Sequence, residues 1–298
     1  MRIGIDLGGT KTEAVLLDAQ GREVQRVREP TARSYEGTLA RITSLVAQLD
    51  ATAGELCSVG LGMPGTISPS TGLVKNANST WLIGHRLDHD LGERLGRLVR
   101  VMNDANCFAL SEAVDGAGAG ARSVFGVIAG TGVGGGWVLD GQVVRGASGV
   151  AGEWGHLPLP SPSDDERRVE PCWCGLVGCV ETWLSGPGLA ADHKRVTGQV
   201  RDAASIAAGA AQGEPACEAT LARWIERFGR SLAMVVNIVD PDFVVLGGGL
   251  SKIDGAAARI QVALEPHVFS DVVATRVVGN EHGDSSGVRG AAWLWPAP

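Results

Sequence analysis

The sequence predicts an α/β protein made of two duplicated α/β domains flanking a cleft, and three observations carry that prediction. "RIGIDLGGTKTEAVLLDAQGREVQRV" alternates apolar and polar residues in three runs, broken at Gly8 and Gly9 and again between Asp18 and Gly21, which is the pattern of three antiparallel strands. About 122 residues later "FGVIAGTGVGGGWVLDGQVV" repeats it, with Gly126 standing for Gly4, Gly130 for Gly8, Leu139 for Leu17 and Asp140 for Asp18, the mark of an internal duplication. After each of these units the apolar period turns helical, as at Leu39, Ile42, Leu45, Val46 and Leu49, so helices should pack on mixed sheets.

The remaining elements follow in order. "CSVGLGMPG" reads as a short buried strand ending in a turn, and "RLVRVMNDANCFALSEAVDG" as a strand running into a helix. Helices are expected over 186–197, 202–212 and 216–239, then the strand "DFVVLGGG", a helix over 255–266, a last strand near 272–277 and a helix in "SSGVRGAAWLWP". The polar, proline-bearing stretch 160–170, "PSPSDDERRVE", reads as a surface loop. A small domain over 1–118, with 287–298 packing back on it, and a large domain over 119–286 are the expected division.

With 298 residues, 44% of them hydrophobic, the chain can bury more than one core. The net charge of -7 and an isoelectric point of about 5.4 argue against a basic surface for nucleic acid or an anionic membrane. No apolar run has the length a bilayer needs, and the chain starts directly on an alternating strand rather than on a signal peptide, so a cytoplasmic protein is expected. Cys57, Cys107 and Cys217 lie scattered in apolar or helical stretches, as free cysteines do in a reducing compartment.

Two glycine turns point to phosphate. "DLGGTK" would present backbone N–H groups of Gly8, Gly9 and Thr10, and "AGTG" would offer Gly130, Thr131 and Gly132 from the second copy, so the pair could grip one polyphosphate; each alone could be a tight hairpin turn. Asp6 aligns with Ile128 in the duplicate. A carboxylate on a buried strand needs a partner, and Mg²⁺ on a triphosphate is a suitable one. A third run, "VVLGGGL" with Gly248 and Gly249, ends a buried strand, where α/β proteins bind ligands. No G-x-G-x-x-G opens a helix after the first strand and no GK[ST] occurs, which disfavours a nicotinamide cofactor.

Asn103 and Asp104 stand at a strand-to-helix junction, where either could cap the helix and where a carboxylate could accept a hydroxyl proton. "AGEWGH" carries Glu153 and His156, a carboxylate and an imidazole suited to adjacent hydroxyls. Cys172, Cys174 and Cys179 have neither the Cys-x-x-Cys spacing of a redox pair nor an even count for disulfides. With one imidazole they would make a Cys₃His zinc site, His156 being the nearest candidate and His193 the other; unliganded loop thiols are the alternative.

Together these residues resemble the ROK family of bacterial sugar kinases, from "GIDLGGTK" to "HGDSSGVRGAAWLW", and "CWCGLVGCVE" is similar to that family's zinc signature almost position for position. The resemblance implies the actin-like ATPase and sugar kinase fold, Asp104 as catalytic base, and Asn78, Asn103, Glu153, His156 and Glu181 as sugar ligands. It implies a zinc site of His156, Cys172, Cys174 and Cys179, and ATP loops in "DLGGTK" with Lys11, in "GTG" and in "LGGG". The expected activity is ATP- and Mg²⁺-dependent phosphorylation of a hexose 6-hydroxyl in a homodimer. "VKNANSTWL", "AGEWGHLPLP" and the C-terminal segment make fructose the leading substrate, while "NDANCFALSEA" is shared with N-acetylglucosamine kinases. Kinases of glucose, mannose or N-acetylglucosamine are the alternatives, and outside enzymes a sugar-responsive regulator lacking a DNA-binding domain.

Overall fold

The structure, a computed structural model, describes residues 1–167 and 169–296. Arg168 of the expected loop 160–170, and Ala297 and Pro298 of the expected C-terminal segment, lie outside the described residues. The chain divides into two compact units, one of residues 1–120, 136–151 and 281–298, the other of 121–135 and 152–280.

The first unit opens with β1 (Arg2–Leu7), β2 (Lys11–Leu17) and β3 (Glu23–Pro30), antiparallel to one another as the alternation predicts. Helix α1 (Tyr35–Ala53) starts on a Ser34 side-chain cap and buries Leu39, Ile42, Leu45, Val46 and Leu49, the residues whose spacing predicts it. β4 (Ser58–Met63) pairs parallel with β1. A short hairpin of β5 (Thr66–Ile67) and β6 (Val74–Lys75), and helix α2 (Leu87–Leu95), follow without a sequence-based expectation. Only Leu87 and Leu91 of α2 are buried, too thin a stripe to read in the sequence. β7 (Val99–Asn103) then leads directly into α3 (Asp104–Val114), completing a sheet of order β3-β2-β1-β4-β7.

The second sheet has order β10-β9-β8-β11-β12, which repeats the first position for position. Its strands are β8 (Ser123–Ala129), β9 (Val133–Leu139), β10 (Gln142–Val143), β11 (Phe243–Gly247) and β12 (Arg276–Gly279). β11 lies parallel to both β8 and β12, as β4 lies parallel to β1 and β7. The helices of the second unit are α4 (Glu181–Leu184), α5 (Gly186–Thr197), α6 (Ala203–Ala211), α7 (Pro215–Val239) and α8 (Ala256–Leu264). α8 stops before Pro266, which cannot continue a helix. The last strand falls at 276–279 rather than 272–277, because register with Phe243 to Leu246 begins only at Arg276 and Val272 stays exposed.

Helix α9 (Ser286–Trp293) packs on the first unit's sheet. The approach is so close that a Cβ on Gly4 would fall 2.0 Å from the Val288 carbonyl oxygen, and one on Gly60 1.8 Å from that of Ala291. Glu112 of α3, fully buried, accepts from the Glu281 N–H and the Ser286 hydroxyl and so ties the segment before α9 to α3. In the second unit the core centres on Trp154, stacked edgewise on Phe125 and tilted against Phe228 of α7. The 160–170 segment is not wholly a surface loop: Glu166 is buried against Arg227 and Arg230 at 2.7 and 2.6 Å. Among the described residues no helix is long and apolar enough to cross a membrane.

Candidate functional site

In the first unit the parallel strands end together, with Asp6 beside Gly62 and Met63 beside Asn103. Carboxyl ends of such strands are where α/β proteins place ligands. The helix cap is Asn103: its Oδ1 accepts from the N–H groups of Ala105 and Asn106, and its Nδ2 donates to the Gly65 carbonyl. Asp104, first residue of α3, accepts from Ala105 N–H at 2.8 Å. Burial, then the neighbouring charges of Asp104 and Glu13, push the Asp6 carboxyl up to about 7, against a smaller opposing pull from Lys11. Two crowded carboxyls of this kind are a donor set that suits a hard divalent cation, so the residues fit Mg²⁺. Lys11 itself reaches Glu13 at 3.6 Å. The Gly8 N–H is spent inside the turn on the Lys11 carbonyl, while Gly9 and Thr10 are exposed at its tip. Asn78 is exposed in the loop after β6.

In the second unit the turns expected to hold phosphate line one pocket. Gly130, Thr131 and Gly249 border a volume of about 580 Å³ whose other walls include Pro187, Ala203, Ala207 and Ile253. The turn is closed by Gly130 N–H on the Gly132 carbonyl, and Gly130's own carbonyl accepts from Gly186 N–H, the first residue of α5. Gly248 sits against the end of β8, with its carbonyl bonded to the Ser251 hydroxyl. A glycine rim beside alanine and isoleucine walls suits a phosphate chain carrying a flat apolar ring. The start of α6 was missed as part of this site. Its signal is the run of small residues, "DAASIAAGA", behind a side-chain cap from Asp202.

The cysteine loop is a clamp of two segments. Leu159 N–H bonds to Gly178 and Val180 N–H to Leu157, while Cys172 N–H bonds to Leu176, so the chain doubles back and brings His156 to the three thiols. One donor atom from each of His156, Cys172, Cys174 and Cys179 lies within 4.8 Å of all the others. The Cys174 and Cys179 sulfurs are 3.6 Å apart and the Cys172 sulfur is 3.7 Å from His156 Nδ1. A tetrahedral zinc with bonds of about 2.3 Å separates its sulfurs by about 3.8 Å, so the donor set fits zinc. Burial, then Cys174 and Cys172 beside it, push the Cys179 thiol up to about 12. His193 is elsewhere, fully buried on α5 with Nδ1 on the Thr220 hydroxyl, which removes it as a fourth ligand.

The same loop gathers the expected sugar-binding groups of this unit. Trp154 is buried and anchored by its indole N–H on the Gly134 carbonyl, and Gly155 lies so close that a Cβ would sit 2.1 Å from the Val133 carbonyl oxygen. That fixes Glu153 and His156 on either side. Loss of hydration raises the Glu153 carboxyl above its ordinary range; Glu181 adds to the rise and His156 opposes it, so the three groups are electrostatic neighbours. Glu181, first residue of α4, has both oxygens engaged: Oε2 by Val133 N–H at 2.8 Å and Oε1 by the Trp173 indole at 2.6 Å. A pocket of about 610 Å³ is bordered by Thr131, Trp173 and Glu181. With Nδ1 turned to the thiols, His156 keeps Nε2 for a hydroxyl.

Comparison with known proteins follows the same lines. The sequence pattern of the ROK family matches residues 2–297. An N-acetyl-D-glucosamine kinase of Pectobacterium atrosepticum is 38% identical over 99% of this chain and 98% of its own length. Among solved structures, the ROK hexokinase from Thermus thermophilus superposes with a TM-score of 0.86 at 31% identity, covering 98% of this chain and 96% of that one. A ROK family glucokinase from Streptomyces griseus, in complex with glucose and AMPPNP, does so with 0.78 at 27% identity, covering 98% of each. Two mixed sheets of one order, the glycine turns and the Cys₃His loop are thus found in a pattern that spans the sequence from end to end, and the chain belongs to the ROK family.

Proposed function

We propose that the protein transfers the γ-phosphoryl group of ATP to the 6-hydroxyl of an N-acetylated hexosamine, N-acetylglucosamine being the first candidate. The observation that carries this reading is the 38% identity, over nearly the whole chain, to a kinase named for that sugar. Fructose, the leading substrate expected from the sequence, gives way to it: the comparisons favour the aminosugar alternative, while "NDANCFALSEA" does not separate the two. Glucose is the second reading, on the likeness to a glucokinase that binds it.

The roles follow from the chemistry of these residues. Asp104, at the end of a parallel strand, accepts the hydroxyl proton as the phosphoryl group moves through a loose transition state. Asp6 holds the magnesium, which when bound offsets phosphate charge. The turns at Gly8 to Lys11, Gly130 to Gly132 and Gly248 to Gly249 hold the phosphates, and the alanine and isoleucine walls beside Gly249 take the base. Asn78, Asn103, Glu153, His156 and Glu181 hydrogen-bond the sugar hydroxyls. His156, Cys172, Cys174 and Cys179 hold a zinc ion that fixes His156 and Glu181 through the loop they share. A cytoplasmic homodimer belongs to the same proposal; of the expected division over 1–118 plus 287–298 and over 119–286, the compact units give 136–151 and 281–286 to the first rather than the second. Coupled ADP-release assays across N-acetylglucosamine, N-acetylgalactosamine, glucose, mannose and fructose test it: the highest kcat/KM should fall on N-acetylglucosamine, and a preference for fructose would reject the substrate assignment.

A further inference from the structure

Trp173 lies between two of the cysteine donors and is 69% exposed. Single exposed apolar side chains need no explanation. What distinguishes this one is its polar atom, because the indole N–H donates to Glu181 Oε1 at 2.6 Å. The other Glu181 oxygen accepts from Val133 N–H, one residue after the "AGTG" turn, at 2.8 Å. The Trp173 ring also stands edgewise to His156, with centroids 5.1 Å apart and planes at 82°. One side chain therefore touches two of the three groups here that are assigned to the sugar, Glu181 and His156.

A free carboxylate rotates about its last bond and presents its lone pairs in many directions. Two donors, one on each oxygen, stop that rotation. An ionised carboxylate offers about four acceptor positions, and the Val133 N–H, the Trp173 indole and, at 3.8 Å, the Cys172 thiol use up to three of them, which leaves acceptor capacity for a substrate hydroxyl. Glu181 then receives substrate without first having to be ordered, which is the cost that preorganised sites avoid.

We infer that Trp173 is a positioning residue for the sugar: its indole N–H fixes the Glu181 carboxylate in the orientation that accepts substrate hydroxyls. The inference rests on the reading of Glu181 as a sugar ligand. It adds a determinant of sugar affinity that is neither a cysteine ligand nor the glutamate itself.

Trp173→Phe keeps an aromatic ring beside His156 and removes only the N–H. In the full chain, its zinc content, kcat and KM for ATP should match the parent. Its KM for N-acetylglucosamine should rise about tenfold, the size expected for losing one hydrogen bond to a charged group. Trp173→His, which keeps a ring N–H, should recover part of that loss. Sugar titration calorimetry on Trp173→Phe, Glu181→Gln and the double variant supplies the second readout: the double should bind no more weakly than Glu181→Gln alone, because both changes act through one carboxylate. An unchanged or lowered sugar KM in Trp173→Phe, additive losses in the double, or loss of zinc in Trp173→Phe would each overturn the positioning role. If Glu181→Gln itself binds sugar as the parent does, it is the assignment of Glu181 as a ligand that fails.

Discussion

Asp104 occupies the position where two demands on one residue meet. The helix it begins needs a cap, and the chemistry needs a carboxylate at the end of a parallel strand. Asn103 meets the first demand by accepting from the N–H groups of Ala105 and Asn106, and Asp104, which shares only the Ala105 N–H, is the residue proposed for the second. Asp104→Asn should therefore lower kcat by about 10²–10⁴ while leaving thermal stability close to that of the parent. Turnover with ATP and N-acetylglucosamine, read beside a melting curve, checks both halves; near-normal kcat would remove Asp104 from the mechanism. Which of the two residues caps the helix was open in the sequence, because Asn and Asp cap about equally well and only the geometry distinguishes them. The bond from Trp173 to Glu181 was hidden for another reason: eight residues separate the two, and their meeting depends on how the cysteine loop closes.

At the scale of elements, the cysteine loop and helix α7 each hold a charged constellation together. The loop's candidate metal donors were legible because ligand type and spacing are local in sequence, and the fourth was narrowed to two histidines. Folding then decided between them by placing His193 under Thr220. Cys174→Ala should lose zinc, and with it about 10–100-fold in sugar KM, while nucleotide binding by the Gly130 and Gly249 pocket persists. Metal analysis with separate sugar and nucleotide titrations reads this, and parent-like sugar binding in the zinc-free variant would break the coupling.

The second constellation was not legible, because "DDERRVE" looks solvated until α7 is packed against it. Burial would raise the Glu166 carboxyl, but hydrogen bonds from Arg227 and Arg230 outweigh it and hold the group down at about 2. A lowered carboxyl contributes stability that is complete above its ordinary value of 4.5 and is lost as pH falls through about 2. Glu166→Gln should cost about 3 kcal/mol at neutral pH and flatten the acid limb over that interval. Urea unfolding across the acid range measures both, and an unchanged acid limb would show that the pair carries little of the pH dependence.

For the whole molecule, the duplication is what made the architecture readable. Matching Gly4 to Gly126 and Asp18 to Asp140 implies two sheets of one topology, and the orders β3-β2-β1-β4-β7 and β10-β9-β8-β11-β12 agree strand by strand. The elements missed were the short or thinly patterned ones, the hairpin of β5 and β6, since neither periodicity nor repetition announces two-residue strands, and α2, with only two buried residues. The same division explains why the fold was clearer than the substrate. Strand order depends on patterns that run through hundreds of residues, whereas a choice among hexoses depends on a few contacts, and motifs shared by several kinases do not resolve it. The proposed activity of this ROK chain is ATP-dependent phosphorylation of an aminosugar. The direct test is kcat/KM for N-acetylglucosamine and for fructose, measured side by side with ATP and Mg²⁺. Phosphorylation at the 6-hydroxyl is expected, with N-acetylglucosamine preferred by at least about tenfold, roughly 1.4 kcal/mol of discrimination. Equal or better use of fructose, or no ATP-dependent phosphorylation of either sugar, would contradict it.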